Sequence, residues 1–131
     1  MVFRIASIVL RVCGVLALLL GLLFWSGNAY NLLGLHMLLG VLVVLSLWVV
    51  GVGQMFTPGG SWPLAGGAIL LGLLVIVVGL TQTRLLVGPF HWVIEVVHLL
   101  LGMLAVGIGQ RAAAPRRNRS AVRQEQSGQA A

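Results

Sequence analysis

The sequence contains no lysine and no aspartate, and its acidic residues are Glu95 and Glu125 alone. Charged residues make up 8% of the 131 residues, while 60% are hydrophobic. A water-soluble domain of this length needs a much larger share of polar residues to cover its surface. The composition therefore excludes an ordinary soluble domain and predicts an integral membrane protein.

Other absences exclude several classes of function. Cys13 is the single cysteine, so no disulfide can form within the chain. No nucleophile triad, phosphate-binding loop or pair of acids is visible, which leaves a hydrolase without support. The net charge of +6 comes from arginine, and five of the eight arginines follow position 110. Because these arginines are not interleaved with aromatic residues, we predict no nucleic-acid partner.

Four segments are long and apolar enough to cross a bilayer, which takes about 20 residues. They are 4–25, 31–54, 63–83 and 88–110. Residues typical of turns, such as Pro58-Gly59 and Gly88-Pro89, separate them. The segments are apolar on all faces, as expected for helices in contact with lipid. We predict an all-α fold, a four-transmembrane-helix up-down bundle over 1–110.

The arginines predict how the bundle is oriented. Arg4 and Arg11 precede or open the first segment, and Arg111 begins a basic tail after the fourth. Arginine is enriched on the cytoplasmic side, so both termini are predicted to be cytoplasmic in a multi-pass protein of the cell membrane. The loops 26–30 and 82–89 are then external. The tail, 111–131, is mainly arginine, glutamine, serine and alanine, has no large apolar residue except Val122, and is predicted to be disordered.

Two similarities within the chain indicate a duplicated helical hairpin. The segment Ala17–Leu23 reads ALLLGLL, and Ala68–Leu74 reads AILLGLL. A histidine with a glycine four residues later also recurs, once in the second segment and once in the fourth. We therefore predict that the bundle consists of two pseudo-repeated helical hairpins, in which the second and fourth helices correspond.

Ionisable residues inside a membrane segment are costly and indicate function by default. The clearest are His36 and His98, which lie at similar depth in the second and fourth segments. In an up-down bundle these two helices run parallel and can face each other diagonally. Two imidazoles that approach from opposite sides are suitable axial ligands for a b-type haem.

Three further residues complete this predicted haem site. Gly40 and Gly102 lie one turn beyond the two histidines on the same helix faces. A glycine there lets the flat macrocycle approach the backbone. Arg84 lies in the second external loop, where it can pair with the haem propionates.

With these positions, the chain resembles the small four-helix membrane b-type cytochromes. The resemblance covers the four-helix plan and the positions of His36 and His98. It implies one haem b per chain and one-electron transfer to or from a quinol or an external redox partner. Related two-haem proteins carry four ligand histidines, whereas this chain has three.

The polar residues of the fourth segment leave other interpretations open. His91, Glu95 and His98 share one helix face, so His91 is an alternative partner for His36. His36, His91, Glu95 and His98 also form a possible ligand set for zinc, iron or copper. Glu95 suits a small proton-coupled carrier. A final alternative is that the histidines have no role beyond packing between helices. The chain would then be a non-catalytic subunit of a larger complex or of a dimer.

Overall fold

The structure is a computed structural model that describes residues 1–57 and 60–113. It contains four α-helices: α1 (Val2–Trp25), α2 (Leu33–Gly53), α3 (Trp62–Thr81) and α4 (His91–Ala113). Each is long and apolar enough to cross a membrane, and the described residues form no strand. The predicted all-α fold with four membrane-spanning helices is confirmed, and the chain is a multi-pass membrane protein.

The ends of the helices follow from local chemistry. Ser61 precedes α3, where its hydroxyl accepts a hydrogen bond from the backbone N–H of Leu64 at 3.4 Å, and Pro63 lies in the first turn. Between α3 and α4, Gly88 has a φ of 102°, which only glycine adopts without strain. The fourth helix therefore begins at His91, three residues later than the sequence predicted.

The end of α4 also differs from the prediction. Residues 111–113 are helical and continue α4, although the sequence placed them at the start of a disordered tail. The rest of that predicted tail, 114–131, lies outside the described residues. The predicted turn at Pro58-Gly59 lies outside them too.

The helices form a ring in which α1 and α3 each contact both α2 and α4. The helices α2 and α4 also contact each other across the bundle. Successive helices run in opposite directions, so α2 and α4 are parallel. We call the end that carries the loops 26–32 and 82–90 the hairpin end. The opposite end, with the start of α1 and the loop after α2, is the terminal end.

An apolar core fills the bundle between its two ends. Its buried side chains come from all four helices, and Leu10, Val44, Leu47 and Val50 are fully buried. Most other large apolar side chains point outward, and Leu70 and Leu80 have about three-fifths of their surface exposed. An apolar outer surface of this kind suits a lipid bilayer rather than water.

Helices approach closely where glycine or alanine lies at the contact. A Cβ atom added to Gly51 of α2 would lie 2.6 Å from the Cβ of Ala68 on α3. A Cβ added to Gly14 of α1 would lie 2.5 Å from a methyl carbon of Val106 on α4. Real atoms do not approach so closely, so these small residues set the distances between the helices.

A polar contact joins α1 to α4 near the terminal end. Arg11 donates a hydrogen bond to the side-chain oxygen of Gln110 at 2.6 Å. Ser7 donates to the same oxygen at 3.2 Å, and Gln110 donates back to the carbonyl of Ser7 at 3.0 Å. The sequence predicted that Arg11 opens the first helix, whereas the structure places it well inside α1.

Candidate functional site

The structure brings two of the three histidines together near the hairpin end. His36 lies in the first turn of α2, and His98 lies two turns into α4. Their ring centroids are 6.3 Å apart, and the ring planes are inclined at 56°. The diagonal contact between α2 and α4 produces this pair, which we call the histidine pair.

Each member of the histidine pair has a nitrogen without a partner. The Nδ1 atoms of His36 and His98 are buried, and neither has a hydrogen-bond partner among the described residues. Buried polar atoms in proteins nearly always have a partner, because an unsatisfied one costs about 1–3 kcal/mol. Two such atoms on neighbouring imidazoles therefore indicate a candidate binding site.

A glycine on a neighbouring helix supports each imidazole. A Cβ atom added to Gly21 of α1 would lie 3.6 Å from Cε1 of His36. A Cβ added to Gly79 of α3 would lie 2.9 Å from Cε1 of His98. The two histidines thus pack in the same way against their own hairpin partners, and all four helices contribute to the site.

This pairing corrects part of the predicted repeat. The similarity between Ala17–Leu23 and Ala68–Leu74 equates Gly21 with Gly72, but the structure equates Gly21 with Gly79. Gly72 instead packs against Trp48 of α2, whose indole N–H donates to the carbonyl of Ile69 at 3.3 Å. Gly21 and Gly72 therefore have different surroundings, although they match in the sequence.

Space remains open beside Gly40 and Gly102, the two glycines predicted to lie near the haem. A Cβ added to Gly40 or to Gly102 would meet no atom within 4 Å, although both residues are half-buried. Each lies one turn beyond its histidine, toward the terminal end. There is thus room for at least a methyl group beside the backbone of α2 and α4 at these positions.

Two aromatic rings connect the histidine pair to the surface of the hairpin end. Phe24 meets His36 edge-on, with centroids 5.3 Å apart and planes at 70°. Tyr30 stacks on Phe24 at 5.9 Å, and its hydroxyl donates to the carbonyl of Phe24 at 3.0 Å. Tyr30 is largely exposed, so the rings lead from the surface to the pair.

His91 and Glu95 form a separate pair. His91 Nδ1 lies 3.2 Å from the carbonyl oxygen of Leu85. A carbonyl can only accept, so this nitrogen carries the hydrogen and Nε2 faces Glu95 Oε1 at 3.9 Å. Both side chains are about one-third exposed. The structure therefore places His91 with the loop and Glu95, and places His98 beside His36.

The predicted metal ligands do not form one cluster. Within 1–57 and 60–113, no three His, Cys, Asp or Glu side chains converge as a set that could hold a metal ion. The four residues predicted as a metal site divide into the histidine pair and the His91–Glu95 pair. Arg84 is exposed at the hairpin end.

The donor set fits a haem group better than it fits a bare ion. Zinc and similar ions take three or four protein ligands, whereas haem iron needs only two axial ligands. Two imidazoles that bind one metal from opposite sides, each at about 2 Å, have ring centres roughly 6 Å apart. The observed 6.3 Å matches this spacing.

Sequence reasoning missed Gly21, Gly79 and Phe24 as parts of the site. The only signal in the sequence is that each glycine lies within one turn of the end of its helix, opposite a histidine on the next helix.

No family model matches the chain, and neither a curated protein nor a solved structure matches it.

Proposed function

We propose that the chain is an integral membrane protein that binds one haem b through His36 and His98 and takes part in one-electron transfer. The observation that carries the proposal is the histidine pair. Its imidazoles come from two diagonal helices, lie 6.3 Å apart and have buried Nδ1 atoms without partners. Such a pair can supply two axial ligands from opposite sides.

The residues around the pair would hold the group in a defined position. The absence of a side chain at Gly21 and Gly79 leaves room for the two imidazoles, and Phe24 packs edge-on against the His36 ring. Gly40 and Gly102, which lack a Cβ, would let the macrocycle approach the backbone, and the exposed Arg84 would pair with a propionate. Haem bound there supplies a reversible one-electron centre, and the apolar core beneath it keeps water away.

The arginines support an orientation for this function. Arg4, Arg11 and Arg111 all lie toward the terminal end, and the positive-inside rule assigns that end to the cytoplasm. The hairpin end then faces outward and carries the histidine pair within two turns of its surface. A quinol in the membrane or an external redox protein would exchange electrons at this end.

An absorption spectrum of the purified full-length protein tests the proposal. We expect the protein, expressed with added haem precursor, to show a Soret band when oxidised and sharp α and β bands after dithionite reduction. These features indicate low-spin iron with two axial ligands. A protein that stays colourless under these conditions would contradict the haem proposal. The remaining interpretations would then be a carrier that uses Glu95 and a packing subunit.

Gly79→Ala is expected to weaken haem retention roughly 10-fold, in the range found when groups that orient metal ligands are changed. The added methyl carbon would lie 2.9 Å from Cε1 of His98 and push the imidazole out of position. The ratio of Soret to protein absorbance after dialysis against apomyoglobin measures the loss.

Gly66→Ala on the same helix is the matched control, because a Cβ added there meets nothing within 4 Å. It should retain haem like the unchanged protein. Equal loss from both variants would mean that Gly79 acts through the helix as a whole rather than through His98.

A further inference from the structure

Three exposed arginines lie at the terminal end, Arg4 and Arg11 on α1 and Arg111 on the adjacent α4. Arg4 and Arg11 are seven residues apart, so they share one face of α1. Arg111 directly follows Gln110, the residue of α4 that accepts a hydrogen bond from Arg11. The terminal ends of two adjacent helices therefore carry three guanidinium groups, and the hydrogen bond to Gln110 places that of Arg11 at the seam between them.

Hydrogen bonds hold Arg11 in a defined direction. Gln110 is fixed by Ser7, which both donates to it and accepts from it. Ser7 lies one turn before Arg11, so the Arg11 side chain runs along α1 toward the terminal end. Arginines near the ends of membrane helices reach the lipid headgroups in this way.

These arginines lack an acidic partner in the described part of the chain. The only acid among residues 1–57 and 60–113 is Glu95, which lies near the hairpin end beside His91. Gln110 is neutral and takes one of the five N–H groups of Arg11. Three exposed positive charges thus lie on α1 and α4 at the terminal end, and an anion would complement them.

The surroundings of the arginines favour a lipid as the source of that anion. Ile5, Ile8 and Val12 alternate with the arginines on α1, and each has at least half of its surface exposed. A phospholipid can place its phosphate among the arginines and its acyl chains along these side chains. Inorganic phosphate has no apolar part that could contact these side chains.

We propose that the seam between α1 and α4 binds the phosphate of an anionic phospholipid through Arg11, assisted by Arg4 and Arg111. Arginine binds phosphate through two parallel N–H groups, and basic pockets between membrane helices select anionic headgroups. The site lies at the opposite end of the bundle from the histidine pair. The proposal therefore stands independently of haem binding.

Thermal unfolding of the full-length protein in nonionic detergent tests this site. Phosphatidylglycerol or phosphatidylcholine is added at increasing mole fraction, and the shift of the unfolding midpoint is recorded. Phosphatidylglycerol should raise the midpoint of the unchanged protein more than phosphatidylcholine does. The mole fraction of phosphatidylglycerol that gives half of the maximal shift should be about fivefold higher for Arg11→Gln than for the unchanged protein. This is the loss of affinity expected when one arginine near anionic lipid is removed.

Arg84→Gln, at the hairpin end, is the matched control and should keep the full lipid response. The quantity compared is the shift on adding lipid, so a change in basal stability does not affect it. Should Arg11→Gln fail to fold, Arg11→Lys keeps the charge, loses the planar fork and should give a smaller increase. Equal shifts from the two lipids, an equal loss in Arg84→Gln, or the same shift from inorganic phosphate would overturn the proposal.

Discussion

His36→Ala and His98→Ala are each expected to lower haem retention by on the order of 100-fold or more. Changes in groups that only orient a ligand already cost 10–100-fold, and these variants remove a ligand itself. The structure gives neither histidine a substitute, because the other histidine of the chain, His91, is bonded to the carbonyl of Leu85. Reduced-minus-oxidised spectra of purified variants measure the bound haem per protein.

His91→Ala and Glu95→Gln are the controls for this prediction. Both residues lie on the same helix as His98 but contact each other, so their removal should leave the spectrum unchanged. If His91→Ala abolished the α band while His98→Ala kept it, the pairing of His36 with His98 would be wrong. If Glu95→Gln abolished a transport activity while the histidine variants kept it, a proton-coupled carrier would be favoured.

Gly51→Ala is expected to destabilise the bundle by about 1–3 kcal/mol, the usual cost of adding a carbon to a filled core. The new Cβ would lie 2.6 Å from the Cβ of Ala68, which is fixed to its backbone and cannot rotate away. The helices α2 and α3 must therefore separate. Unfolding by sodium dodecyl sulfate in mixed micelles, followed by circular dichroism, measures the change.

Two further variants show whether this contact is the cause. Ala68→Gly removes the opposing carbon, so the double variant Gly51→Ala/Ala68→Gly should recover most of the lost stability. Gly34→Ala lies on the same helix, meets nothing within 4 Å and should cause no loss. Additive losses in the double variant would show that Gly51 is needed for another reason.

The four helices could be predicted because membrane spans follow a simple requirement of about 20 apolar residues. The proximity of His36 and His98 could also be predicted, since helix order makes α2 and α4 parallel and both histidines lie near the same end. That haem binds there stays a prediction. The separation of His91 from the pair could not be predicted, because it depends on the loop carbonyl of Leu85.

The roles of individual glycines were not readable from the sequence. The chain has 18 glycines, and a repeated segment suggested that Gly21 corresponds to Gly72. Which glycine supports an imidazole depends on the rotation and offset of packed helices, and those are set by contacts such as Gly51 with Ala68.

The apolar core described above separates the histidine pair from the terminal end. From His36 to Gly53 the helix α2 extends about 25 Å. Over that length, Ser46 is the one buried polar side chain among the described residues. A charge that crosses a whole bilayer gains or loses about 2.3 kcal/mol per 100 mV, but a charge exchanged at the pair from the hairpin end crosses little of that voltage. A haem held there, as proposed, would therefore exchange electrons from one face of the membrane without drawing on the energy stored across it.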